Sequence, residues 1–374
     1  MPNLDWRDCV DRAFGPLIKA SGRSGLSLKK LKVLPPPEDE RSAQFERFSS
    51  MKATDFRPLF LPNGGFFFPF FIGTTKSFAF SSFLDDADLN ASLDAWLKEN
   101  DAVVEFVDQS AFLFLSYYTS SFYSLRPEYQ NRRASSEIVD AAVDNSYEGH
   151  SVDDLIGYYR PTYILSLPPD SVLTDADPYT IAAELLAMVP SLRSPIIDDD
   201  FSTRVHQLLS IPSVSPENIF LSLTATRWRY AFLELFKIIE SVLYVPWVDD
   251  LLSELSIDAR IKLAYSALRS RLDWREGKGR SIKRVFAALA ATAELQRLEG
   301  LSKSFKDLDI TQDERRAAIG QRVYKIRNQL VHPEDYTDRS VLNTSEDEFR
   351  ILSIYLSEVA TMIYEKYDGL LREA

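Results

Sequence analysis

The chain of 374 residues has the length of about two domains, and its 45% hydrophobic and 26% charged content excludes a disordered chain. One cysteine, Cys9, excludes an intrachain disulfide, and with only His150, His206 and His332 beside it the sequence argues against a structural zinc site; no metal and no other cofactor is expected. The formal net charge of -12 argues against a nucleic-acid partner only if the charge is evenly spread, which it is not.

The opening segment, MPNLDWRDCV, carries acidic residues where a secretory signal would be basic and apolar. The longest apolar runs, such as Gly65 to Ile72, fall far short of the ~20 residues that span a bilayer. A cytoplasmic location and no membrane partner are therefore expected. Pro35 to Pro37, followed by EDER, predicts a loop. Arg57 to Leu84 is rich in aromatic residues and holds the turn signal Asn63-Gly64-Gly65, which predicts short strands joined by hairpins. Leu89 to Glu99 has the period of an amphipathic helix. Ala102 to Val107 and Ala111 to Tyr118 have strand composition, as does Thr162 to Leu167 between its flanking prolines. Pro178 to Met188 is predicted helical, with Asp175 and Asp177 near its start. Pro190 to Asp200 and the stretch around Pro212 to Pro216 are candidate linkers.

Beyond Pro216 the period becomes helical. Ile219 to Tyr244 predicts one long helix ended or kinked by Pro246. Ile257 to Leu272, the alanine-rich Ser281 to Leu298, Gln312 to His332 and Ser345 to Leu371 predict four more. The last opens Ser345-Glu346-Asp347-Glu348, in capping-box form, and repeats Phe349, Leu352, Leu356, Val359 and Ile363 at helical spacing. The fold class expected is α+β: a mixed α/β domain over 1–210, then an all-α bundle over 216–374.

The charge divides along the same line. Ala134 to Asp200 holds 13 acidic and 2 basic residues; Arg260 to Arg284 holds 9 basic and 2 acidic; Arg315 to Arg327 holds 5 basic and none acidic. The basic segments are either solvated helix faces or a phosphate-binding surface. The acidic block is a candidate shield for that surface in an inactive state.

Gln321 to His332, QRVYKIRNQLVH, lies among the basic segments. Val323, Ile326 and Leu330 form one apolar stripe, with Arg327 and Asn328 off its centre. Pro333 disfavours helix at the residue before it, so the helix should end near His332. There the imidazole meets the negative end of the helix dipole, a placement that suits a group able both to take and to give a proton. Cutting RNA without a metal needs a base for the 2′-hydroxyl proton, an acid for the leaving 5′-oxygen and a cation for the transition-state charge. Histidine suits the first two roles and the planar arginine fork the third. Five residues turn a helix by about 500°, so Arg327 and His332 point about 140° apart. One copy of the helix makes a poor cluster; two copies meeting antiparallel would make a better one. The plainer alternative is that Arg327 satisfies the helix dipole and His332 caps the helix. By the same reasoning Tyr324 packs in the interior, Arg322 and Lys325 are solvated, and Glu240 is a surface residue or an interhelix partner.

Arg327-Asn328-Gln329-Leu330-Val331-His332 resembles the signature of the HEPN superfamily, an arginine, a polar residue and a histidine at the end of a long helix. The approach Tyr324-Lys325-Ile326-Arg327-Asn328 is similar to the motif helix of Apea-like, abortive-infection HEPN proteins, and Phe232 to Leu243 is similar to their opening helix. The resemblance covers about Pro216 to Ala374. It implies a dimeric α-bundle with metal-independent endoribonuclease activity on RNA, often in toxin or anti-phage systems; an antitoxin or sensor protein is a candidate further partner. It also implies that Arg327 and His332 are catalytic, with Asn328 orienting the pair or the phosphate. On the residues themselves, Tyr324 is a candidate to line the cleft and Arg322 and Lys325 are candidates to contact phosphate, which makes these three the candidate substrate-binding residues. The alternative function is a non-catalytic HEPN module that binds RNA, a nucleotide or a partner protein.

Overall fold

A computed structural model of the chain describes residues 5–372 apart from 24–33, 35–36, 63, 82–85, 120–123, 144–148, 257–259, 273–276, 307, 309–311 and 336–343. The chain divides into two compact units, Met1–Arg193 and Ser194–Ala374. The first is mixed and the second all-helical, the α+β organisation that the residue patterns predict. The division falls earlier than the expected 1–210, because Asp198 to Leu209 packs with the second unit: Arg350 pairs with Asp198, and Arg204 binds Glu294 at 2.5 Å and Glu358 at 3.0 Å. Among the described residues no helix is long and apolar enough to cross a membrane.

In the first unit the elements run α1 (Trp6–Ser21), α2 (Glu38–Ser50), β1 (Met51–Ala53), β2 (Leu59–Phe60), β3 (Phe66–Ile72), β4 (Thr75–Ser81), α3 (Asp86–Glu99), β5 (Val103–Phe106), α4 (Gln109–Thr119), α5 (Arg132–Val143), α6 (Val152–Tyr158), β6 (Thr162–Ser166) and α7 (Pro178–Met188). The strands form one antiparallel sheet in the order β1-β3-β4-β6-β5, with β2 also on the outer edge of β3. The run of phenylalanines in β3 is explained by burial on both faces of the sheet. Phe66, Phe68 and Phe70 join the core that includes α1 and α4, while Phe67 stacks on Phe78 at 5.5 Å on the other side. Pro69 has no N–H to give, and it falls where the outer edge is split between β1, which pairs with 70–72, and β2, which pairs with 66–67. Gly73 turns the β3–β4 hairpin at φ 62°, where a side chain would strain the backbone.

Two local expectations for this unit change. Ala111 to Tyr118 is helix, not strand. The Asp108 carboxylate caps its start, accepting from Ala111 N at 2.8 Å, and Gln109 through Ser116 are all buried. A helix covered on every side loses the apolar-polar period that marks helices, so its composition looks like that of a strand. Pro35 and Pro36 lie outside the described residues, but Glu38, Asp39 and Glu40 form the first turn of α2, where negative charge suits the helix dipole.

The second unit comprises α8 (Asp199–Leu209), α9 (Pro216–Leu223), α10 (Trp228–Glu240), α11 (Val245–Glu254), α12 (Ile261–Leu272), α13 (Lys278–Ala287), α14 (Ala293–Leu301), α15 (Lys303–Lys306), α16 (Gln312–Val331) and α17 (Glu346–Arg372). The single helix expected over Ile219 to Tyr244 is broken at Thr224 to Arg227. Glu346 supplies a cap for α10, accepting from Trp228 N at 2.7 Å and from Arg229 Nε at 3.1 Å. Pro246 does not end that helix but sits in the first turn of α11, where its missing N–H is no loss. Ser281 to Leu298 is likewise two helices; Thr292 caps the second, accepting from Leu295 N at 3.1 Å.

Helix α17 is the spine of the bundle, with Phe349, Leu352, Leu356, Val359 and Ile363 all fully buried. Helix α13 lies close along α16. A Cβ built on Gly320 would stand 2.8 Å from Phe286 Cγ and 3.0 Å from the Ile282 carbonyl oxygen. Alanine favours a helix by about 1 kcal/mol over glycine. Here the clash falls on a ring root and a backbone atom, and overpacking typically costs about 1–3 kcal/mol. Gly320→Ala is expected to lower stability, read as a fall in denaturation midpoint; a rise would show that α13 and α16 separate freely.

Candidate active site

Helix α16 carries every candidate residue but His332, which follows its last residue directly. Val323 and Ile326 are buried and Leu330 half-buried, so the apolar stripe fixes which way the helix faces. The helix ends at Val331, one residue before His332, and the His332 N–H still closes an i→i-4 bond to the Asn328 carbonyl at 2.8 Å. The imidazole is exposed and has no hydrogen-bond partner among the described residues.

Arg327 is more enclosed, with a side chain 20% exposed. Its Nη2 donates to Glu240 Oε2 at 3.3 Å and its Nη1 to Asn328 Oδ1 at 3.1 Å, while the guanidinium lies 5.7 Å from the centre of the Phe236 ring. Glu240 also pairs with Lys278. Glu240 is thus an interhelix partner, tying α10 to α13 and α16. The three charges sum to +1, so pairing does not cancel the positive field at the guanidinium. Asn328 joins the parts: its side chain accepts from Arg327 and its carbonyl from the His332 N–H. No hydrogen bond joins the Arg327 and His332 side chains among the described residues, in keeping with their divergence on the helix.

Beside them lies an open cavity of ≈ 430 Å³ lined by Leu308, Ala318, Gln321, Arg322, Tyr324, Lys325 and Asn328. All three residues expected to bind substrate are there. Tyr324 combines this place with the packing role: its ring stacks on Phe236, with centroids 6.4 Å apart, and borders Gly279. Gln321 was not singled out from the sequence, although its i, i+4, i+7 spacing to Lys325 and Asn328 marks it as part of the same ridge.

The other basic residues are partly engaged. Arg284 pairs with Asp250 and lies 4.4 Å from the centre of the Trp247 ring, and Arg315 reaches Glu299 at 3.4 Å. The side chains of Lys262, Arg269, Arg271 and Arg275 lie outside the described residues. His150 is buried, within 3.4 Å of the Tyr158 hydroxyl and 3.3 Å of the Ile138 carbonyl, and has a packing role. Burial pushes the Cys9 thiol up to about 12, which leaves it unreactive. Among the described residues no group of three or more His, Cys, Asp or Glu side chains is placed to hold a metal ion. No known protein-family pattern, curated protein or solved structure matches the chain.

Proposed function

We propose that the second unit is a metal-independent endoribonuclease of HEPN type, acting in the cytoplasm as a homodimer and serving as a toxin or anti-phage effector. The first unit, or a separate antitoxin or sensor protein, would restrain it. The observation that carries this reading is Asn328, which ties the Arg327 guanidinium and the His332 backbone to one turn of helix beside a cationic cavity.

In this reading His332 takes the proton from a ribose 2′-hydroxyl. The freed oxygen attacks the adjacent phosphorus, and the bond from phosphorus to the 5′-oxygen breaks. The leaving oxygen takes a proton from the partner subunit's His332. Arg327 stabilises the charge on the phosphorane-like transition state, its fork held in place by Glu240 and Asn328. The Glu240 contact orders the guanidinium before substrate arrives, which reduces the reorganisation the reaction requires.

This chemistry dictates the products. RNA incubated with the protein in excess EDTA should yield fragments with 2′,3′-cyclic phosphate and 5′-hydroxyl ends, resolved by end-specific labelling. Fragments with 3′-hydroxyl and 5′-phosphate ends, or intact RNA, would remove the reading.

A further inference from the structure

We infer that the cavity on α16 seats one nucleotide of single-stranded RNA, beside the linkage that is cut; the inference rests on the proposed nuclease reading for that second clause only. Its volume of ≈ 430 Å³ lies within the range of small-ligand pockets, roughly 300–1,000 Å³. Among the described residues that line it none is acidic, and Arg322 and Lys325 are cationic, which suits a phosphate. Tyr324 offers a ring already braced by Phe236, so a base can stack there with little further ordering.

The amides add a means of reading a base edge. Arg327 has only donors, so the Asn328 atom it meets is the oxygen, and the Asn328 NH₂ group must face the other way. Together with the exposed Gln321 it provides hydrogen-bonding groups of both kinds next to the aromatic platform. A duplex hides its base faces by stacking, whereas a single strand presents them. Gln321, Lys325, Asn328 and His332 follow at i, i+4, i+7 and i+11. His332 therefore comes about 6 Å beyond Asn328 along the same ridge, so a strand seated in the cavity runs toward the imidazole.

The test uses the full chain and a fluorescent single-stranded oligonucleotide with 2′-O-methyl riboses, which lacks the attacking hydroxyl. The parent should bind it. Tyr324→Ala should weaken binding about tenfold and Tyr324→Phe by less than about twofold, since the ring is what stacks. Lys325→Glu, at an exposed position, should weaken binding and lower the dependence of log affinity on log salt by about one. Annealing the probe to its complement should also weaken binding. Parent-like binding by both Tyr324→Ala and Lys325→Glu would overturn the inference, as would equal affinity for the duplex. Displacement of the probe by adenosine 5′-phosphate at the oligonucleotide's own affinity would overturn it too, since the site would then hold a free nucleotide. Binding as expected by a parent that leaves unmodified RNA intact would remove the nuclease and keep the nucleotide site. Cutting at full rate by Tyr324→Ala and Lys325→Glu would do the reverse.

Discussion

His332→Ala is expected to slow RNA cutting by about 10²–10⁴-fold, the usual contribution of a general acid or base, while leaving stability within about 0.5 kcal/mol of the parent. The two expectations separate function from folding because the imidazole is exposed and holds no hydrogen-bond partner among the described residues. Arg327→Ala should cost about 10²–10³-fold, the effect of removing one donor to transition-state charge. Glu240 keeps Lys278 as a partner in that variant, so the junction of α10 and α13 persists. Arg327→Lys retains the charge but loses the fork that spans Glu240 and Asn328, and should recover only part of the rate. Rates come from cleavage of a labelled RNA and stability from thermal melting of the same preparations. Normal cutting by His332→Ala would leave the helix end as a simple cap.

Glu348→Ala should destabilise the second unit by about 3 kcal/mol, a fall in Tm of about 6–12 °C for a unit of this size. The Glu348 carboxylate is buried and accepts from Ser302 Oγ at 2.6 Å, Lys303 N at 3.0 Å and Ser304 N at 2.9 Å. Alanine would leave those donors without an acceptor in the interior. Burial opposes the charge on Glu348, but the hydrogen bonds from Ser302, Ser304 and Lys303 outweigh it and hold the pKa below the usual carboxylate range. The sign of the pH dependence follows. A folded-state pKa below the unfolded one gives stability that is full above the unfolded value and fades as pH falls through the folded value. The parent's margin over Glu348→Gln should therefore shrink as the medium is acidified through that range. A margin that stays constant with pH would mean the carboxylate is not charged where it lies.

Glu348 also shows where the sequence is legible and where it is not. Its spacing from Ser345 announces a helix start, and the Ser345 hydroxyl does accept from Glu348 N at 3.2 Å. The Glu348 carboxylate instead serves the start of α15, some 45 residues away in sequence. The break before α10 is hidden for the same reason, since its cap, Glu346, lies 118 residues from Trp228. Local rules find helices whose apolar stripe is one-sided, as in α16, because burial there follows the helical period. They fail on α4, whose burial on every side erases the period. In the site, Arg327, His332 and the cationic residues around Tyr324 stand out in one dozen-residue stretch. Lys278 and Phe236 do not, because their roles exist only once α10 and α13 pack on α16.

The central claim is that Arg327 and His332 of two subunits act on one phosphodiester, and subunit titration tests it most directly. Unaltered protein is mixed, at constant total concentration and with time for exchange, with rising proportions of a variant carrying both Arg327→Ala and His332→Ala. A shared site predicts that the cutting rate per unaltered subunit falls in step with the fraction of unaltered chains. A rate per unaltered subunit that stays constant across the mixture would contradict it.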